Sequence, residues 1–120
     1  KKEVLRLSAR IALAEGDGDS EARILKQIVD LDPLDGDALL LLGRHAVRTS
    51  NDAQAIFYFE RAMAIDASEA DANLELGKLL SAQGKYAEAL PKLRRAQQIN
   101  PRGPVQRFLE QIEKRAGRGG

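Results

Sequence analysis

A shift of thirty-four residues lays this chain over itself. Between residues 36–69 and 70–103, ten positions coincide: Asp37/Asp71, Ala38/Ala72, Leu40/Leu74, Leu42/Leu76, Gly43/Gly77, Ala53/Ala87, Ala55/Ala89, Arg61/Arg95, Ala62/Ala96 and Ile65/Ile99. Average composition would give about two. A fixed period of this length marks stacked supersecondary units, none of which buries its apolar face alone, so that neighbours close a shared core. Such an array presents an extended surface instead of a cleft around a catalytic centre. The pattern therefore points to binding.

How the units pack follows from which apolar residues are present. Hydrophobic residues make up 43% of the 120 positions but aromatics only 4%, so the core is built from Leu, Ala and Ile, in one ordinary domain. Small side chains with 31% charged residues suit closely packed helices. A net charge of +1 argues against the concentrated basic face that a strong grip on nucleic acid needs. With no cysteine and a single histidine, neither a disulfide framework nor a zinc centre is expected. No apolar stretch approaches the ~20 residues needed to span a bilayer, so no membrane insertion is expected. Lys1-Lys2 and the apolar run ending Ala12-Leu13-Ala14 imitate a secretion signal, but Glu3, Arg6 and Arg10 interrupt it, and an amphipathic helix is the better reading. Because the chain opens on Lys1 and not on Met, it is expected to be a piece of a longer protein.

Seven helical segments can be placed, joined by short loops. Val4, Leu7, Ile11 and Ala14 recur at helical spacing before Gly16-Asp17-Gly18-Asp19 ends the first. Ser20 is the expected cap of the second, in which Ile24, Ile28 and Leu31 share a face before Asp32-Pro33. Residues 36–49 form the third. Asn51, with Gln54 three residues on, caps a fourth that turns Ile56, Phe59 and Met63 inward and Phe57 and Tyr58 toward the outside or the seam between repeats. Ser68 and Asp71 read as a capping box opening the fifth, which runs to Gln83-Gly84. The sixth covers Tyr86 to Ile99, with Pro91 expected to bend it. Pro104 starts a seventh, whose Val105, Phe108, Leu109 and Ile112 form one stripe.

These residues resemble the tetratricopeptide repeat family, a helix-turn-helix unit of thirty-four residues. Residues 70–103 carry the resemblance best, through Leu76-Gly77, Leu80, Gly84, Tyr86, Ala89, Leu93, Ala96 and Pro101. Residues 36–69 carry it through Leu42-Gly43, Ala46, Ala55, Phe59 and Ala62, with Ser50 in place of the usual glycine and Ala67 in place of the usual proline. Residues 1–35 read as a degenerate copy: Asp32-Pro33 and Ala22 suggest its second helix at a spacing short by one, and its first helix fits more than one register. The resemblance implies an all-α fold of antiparallel helix-turn-helix repeats in a right-handed α-solenoid, one domain over 1–116 with a degenerate repeat at 1–35, repeats at 36–69 and 70–103, and a capping helix at 104–116. Residues 117–120 are expected to form a disordered tail.

In the family, first helices line a concave groove used for an extended or helical peptide. Here that face would present Asp37, Leu40, Arg44, Val47 and Arg48, then Asp71, Leu74, Lys78, Ser81 and Ala82. Arg44 and Lys78 stand one period apart, and in one register Arg10 extends the row. Repeated cations on a concave wall favour an acidic partner; the plain alternative is solvated positions paired with Glu75 or Asp71. The subgroup that clamps chaperone C-termini uses Lys, Asn and Arg where this chain has Leu41, Asp71 and Glu75, which argues against that particular ligand.

The function expected is a non-catalytic protein–protein interaction module that binds a peptide or partner protein, acidic in character, through Leu40, Arg44, Val47, Arg48, Leu74, Lys78 and Ser81. The alternative is self-association or an in-chain scaffold, with Phe57 and Tyr58 or the degenerate first repeat as the contact of a homodimer. No catalytic residue, cofactor or metal is expected: the sequence shows no phosphate loop and no nucleophile with a base, and His45 reads as a half-buried helix residue. Nucleic-acid binding by a related helical-repeat class is disfavoured by the near-neutral charge.

Overall fold

The structure, a computed structural model, describes residues 1–118. Seven helices follow one another as α1 (Lys2–Ala14), α2 (Gly18–Leu31), α3 (Gly36–Arg48), α4 (Asp52–Met63), α5 (Glu69–Ala82), α6 (Tyr86–Ile99) and α7 (Gly103–Arg118), with a 3₁₀ turn at Asp66–Ser68 before α5. They pair as antiparallel hairpins α1/α2, α3/α4 and α5/α6, and each hairpin packs on the next through α2/α3 and α4/α5. The result is an α-solenoid 48 × 27 × 22 Å, with α7 packed against α6 at its end. None of its helices is long and apolar enough to cross a membrane, among the described residues.

The period is strict in three dimensions. Second helices open at Gly18, Asp52 and Tyr86, and first helices close at Ala14, Arg48 and Ala82, always thirty-four residues apart. This fixes the register of the first hairpin and corrects the spacing read from Ala22. The residue matching Ala55 and Ala89 is Glu21, one position earlier, and Leu25 matches Phe59 and Leu93.

Each hairpin closes on its smallest side chains. A Cβ on Gly43 would lie 2.6 and 2.8 Å from two ring atoms of Phe59, and one on Gly77 would lie 2.6 Å from Cγ of Leu93. Phe59 and Leu93 are both wholly buried, so neither side chain has room to give way. Ala55, Ala62 and Ala89 are equally buried on the facing helices, and Leu25, Ile28, Leu39 and Leu42 join the same buried core.

The loops repeat as faithfully as the helices. Gly16, Ser50 and Gly84, one period apart, all adopt positive φ (75°, 59° and 78°). After each of them the next residue's N–H reaches back into the helix, from Asp17 to Ala12 O, Asn51 to Ala46 O and Lys85 to Leu80 O, the pattern of a Schellman cap. Ser50 thus holds a glycine conformation without being glycine. Three helices then open on side-chain caps, in which Asp17, Asp35 and Asn51 accept from the N–H groups of Ser20, Ala38 and Gln54.

Several local expectations are revised. The cap of α2 is Asp17; Ser20 lies one turn inside and supplies the bonded N–H. Ser68 makes no side-chain cap bond, because it closes the 3₁₀ turn and packs its side chain against Gly36, where an added Cβ would lie 2.8 Å from Ser68 Cβ. The stripe Val4, Leu7 and Ile11 that marks α1 in the sequence is its exposed side, at 68, 56 and 49%, while Ala9 and Ala12 are buried. Helix α7 covers Leu93 and Ala96 with Val105, Leu109 and Ile112 and runs on through Gly117 and Arg118, into the segment expected to be disordered. Gly119 and Gly120 lie outside the described residues.

Gly43→Ala gains about 1 kcal/mol of helix propensity but overpacks a side chain that cannot move, a cost of about 1–3 kcal/mol. Net destabilisation is expected, read as a fall in Tm by circular dichroism. Ser50→Gly removes the left-handed strain at about 1–2 kcal/mol, set against the added entropy of an unfolded glycine, for a rise in Tm of roughly 2–5 °C.

Candidate functional site

Because the helices recur every thirty-four residues, α1, α3 and α5 present equivalent residues, such as Arg10 and Arg44, to one side of the solenoid. There a cleft of about 330 Å³ lies over Leu25 and Ile28. Its walls are Arg6, Arg10 and Leu13 from α1, Asp37, Leu40, Leu41 and Arg44 from α3, and Asp71 from α5. A second recess of about 190 Å³ joins Leu74 and Lys78 of α5 to Arg102, Pro104, Val105 and Phe108 at the start of α7. Four of the seven expected groove residues, Leu40, Arg44, Leu74 and Lys78, thus line recesses on this side, and Arg10 joins the row because the observed register is the one that aligns it with Arg44.

The remaining three have other engagements. Val47 is 39% exposed and lines neither recess. Ser81 donates its hydroxyl to Gly77 O at 2.7 Å, within its own helix. Arg48 turns to Glu21, donating to its carboxylate at 2.8 Å.

Two kinds of charge contact coexist in the groove. Arg44 Nε and Lys78 Nζ approach one carboxylate oxygen of Glu75 at 3.6 and 4.0 Å, and Arg102 approaches Asp71 at 3.9 Å. These pairs are loose and open to water, a geometry worth about 0–1 kcal/mol. Glu21 differs, since its side chain is only 2% exposed and ties α2 to α3 through Arg48. The same two sites one period later hold Ala55 and Ala82. Sequence comparison of the repeats missed this pair because the first hairpin was misread by one residue.

Another buried carboxylate, Asp35, caps α3 with one oxygen and receives Arg6 and Lys2 on the other. Lys2 also donates to Asp32 at 2.7 Å. That bond holds the Asp32 carboxyl below its ordinary range and the Lys2 amine above its own. The sign follows from each shift: the Asp32 contribution is lost as pH falls through its lowered value, and that of Lys2 is lost as pH rises through its raised one. Between these limits, at neutral pH, α1 is clamped to the loop that enters α3. Asp17 is likewise held low by its contacts with Ser20 at the start of α2.

Away from the groove, Phe57 is 54% exposed and Tyr58 packs partly into the core. Their rings meet edge to face at 5.5 Å, and the Arg61 guanidinium lies 5.6 Å from the Phe57 centroid. The exposed ring is therefore already covered on one face by its own helix.

Profiles of the tetratricopeptide repeat match residues 6–70 and 51–112. The chain belongs to the tetratricopeptide repeat family. Among solved structures of this fold, the first tetratricopeptide domain of Spaghetti (RPAP3), bound to the HSP90 peptide SRMEEVD, superposes with a TM-score of 0.86 at 20% identity, covering 98% of this chain and 96% of that one. The Yersinia enterocolitica type III secretion chaperone SycD, in complex with a peptide of the translocator YopD, gives 0.84 at 22% identity over 95% and 93%. The Thermobaculum terrenum O-GlcNAc transferase gives 0.78 at 26% identity over 92% of this chain, which spans 22% of the transferase. Comparison with curated protein sequences gives no match.

Within this family frame, the Glu21–Arg48 pair is open to a double-mutant cycle. Arg48→Ala leaves a carboxylate buried without its partner and is expected to cost about 2–3 kcal/mol, below the ~3–5 of a fully buried pair because Arg48 is half exposed. Glu21→Ala with Arg48→Ala recreates the Ala55/Ala82 arrangement and should recover most of that loss, as measured by urea denaturation.

Proposed function

We propose that this tetratricopeptide repeat domain is a non-catalytic interaction module that holds a segment of a partner protein along its concave side. The observation that carries the reading is the row of cations Arg10, Arg44 and Lys78, each one period from the next, beside the apolar lining of the cleft. The accessible apolar surface of the cleft comes from Leu13 and the half-buried Leu41, because Leu40 and Leu74 are themselves buried, while the cations select for carboxylates at small cost, because their contacts with Glu75 are loose. The fold is shared by domains solved with peptides bound, which supports a peptide or protein partner. Leu41, Asp71 and Glu75 distinguish this groove from one built to clamp a terminal carboxylate.

A second reading, self-association, is favoured by one observation. Val4, Leu7 and Ile11 are apolar and exposed on α1, whereas their counterparts Ala38, Leu41 and His45 on α3 sit wholly or partly covered. In that reading the open side of α1 meets another hairpin or a second copy of the chain. Light scattering that shows a dimer dissociated by Leu7→Lys supports it; a monomer at every concentration rejects it.

For the groove, Arg44→Glu with Lys78→Glu should reduce capture of partner protein by about tenfold or more, some 1.4 kcal/mol, with helicity unchanged by circular dichroism. Unaltered capture by a folded double variant would rule out the cationic row.

A further inference from the structure

The groove carries a second row of charge. Asp37 and Asp71 line the same cleft as Arg10 and Arg44, one period apart from each other. On α3 the order along the wall is Asp37, Leu40, Arg44, and on α5 it is Asp71, Leu74, Lys78. Seven residues of helix separate acid from base in each case, about 10.5 Å at 1.5 Å per residue. The wall is therefore banded: an acidic rail at Asp37 and Asp71 and a basic rail at Arg44 and Lys78, with Leu40 and Leu74 buried beneath it and Leu13 and the half-buried Leu41 giving the cleft its apolar surface.

We propose that the occupant of this groove is an amphipathic helix with carboxylates on one flank, an apolar stripe facing the wall, and lysine or arginine on the other flank. The proposal rests on the groove reading above and narrows it. An α-helix with its side chains is about 10–12 Å wide, which matches the distance between the rails. First helices of neighbouring hairpins lie about 10 Å apart, so charges on each ligand flank should recur about every seven residues.

Charge balance favours two-signed over purely acidic ligands. Arg10, Arg44 and Lys78 attract carboxylates, but Asp37, Asp71 and Glu75 stand on the same wall and oppose them. A uniformly acidic segment gains on one rail and is repelled on the other; a two-signed helix gains on both. First-turn carboxylates also suit the positive end of their own helices, yet that role does not require them to face the cleft. Among the described residues, Asp37 and Arg10 have no ion-pair partner within 4.0 Å, so each rail keeps an uncommitted charge.

The test is a displayed library of peptides about sixteen residues long, some 24 Å as a helix, with a fixed apolar stripe and both flanks randomised, panned on the whole chain. Enriched peptides should carry Asp or Glu on one flank and Lys or Arg on the other. Asp37→Lys with Asp71→Lys should invert selection on the basic flank alone, and the milder Asp37→Asn with Asp71→Asn should abolish it there. Arg44→Glu with Lys78→Glu should invert the acidic flank alone. Proline at the centre of the best peptide should weaken its binding by at least about tenfold. Enrichment of uniformly acidic peptides, or selection indifferent to the aspartate variants, overturns the two-rail proposal and leaves the groove reading standing. Tolerance of the central proline overturns the helical form. No enrichment beyond that on a Leu13→Asp/Leu41→Asp variant that keeps its helicity overturns both readings.

Discussion

Close approach of paired helices at Gly43 and Gly77 sets the geometry of everything else. Phe59 and Leu93 occupy the volume that a Cβ on the glycine each faces would need, so the second and third hairpins close to a fixed spacing. Repeating that hairpin every thirty-four residues turns the first helices to one side. Residues such as Arg10 and Arg44 then meet on the same surface although far apart in sequence. The cleft is a consequence of this packing, and its shape is inherited from contacts buried inside the hairpins.

Electrostatics divides along the same boundary. Where carboxylates are buried, at Glu21 and Asp35, each has a specific cationic partner and holds one element to the next. Where they are more open, at the partly exposed Glu75 and the exposed Asp71, contacts are long, to Arg44 and Lys78 for the one and to Arg102 for the other. Buried charges of this kind fix register at little or no net gain in stability, since desolvation offsets most of the attraction. The loose ones leave the charges of the wall only weakly committed to one another. Tightly and loosely paired carboxylates thus differ in burial and not in residue type.

Much of the architecture was legible in the sequence because it is periodic. Gly43/Gly77, Ala55/Ala89 and the Asn51–Gln54 cap were recognisable from spacing alone, and all three occupy the places that spacing implies. The first hairpin was harder, because Glu21 stands where a small residue marks the other repeats and Ala22 beside it offers a false match. The α1 stripe misled for a related reason. Helical periodicity reveals that Val4, Leu7 and Ile11 share a face but not what covers that face. In the groove, Leu40, Arg44, Leu74 and Lys78 followed from the repeat, whereas the diversion of Arg48 to Glu21 depends on a contact between different hairpins that no single-repeat pattern encodes.

That diversion bears on how such an array can change over time. Repeat proteins are commonly thought of as strings of interchangeable modules, duplicated or shuffled with little penalty. Here the first unit carries a half-connector, Glu21, whose mate sits on the following unit, while the second and third meet through alanines instead. Transposing the units would strand an ion in the seam or set an arginine against no acceptor. The order of the hairpins is therefore written into their junctions, and this solenoid is a sentence with fixed word order.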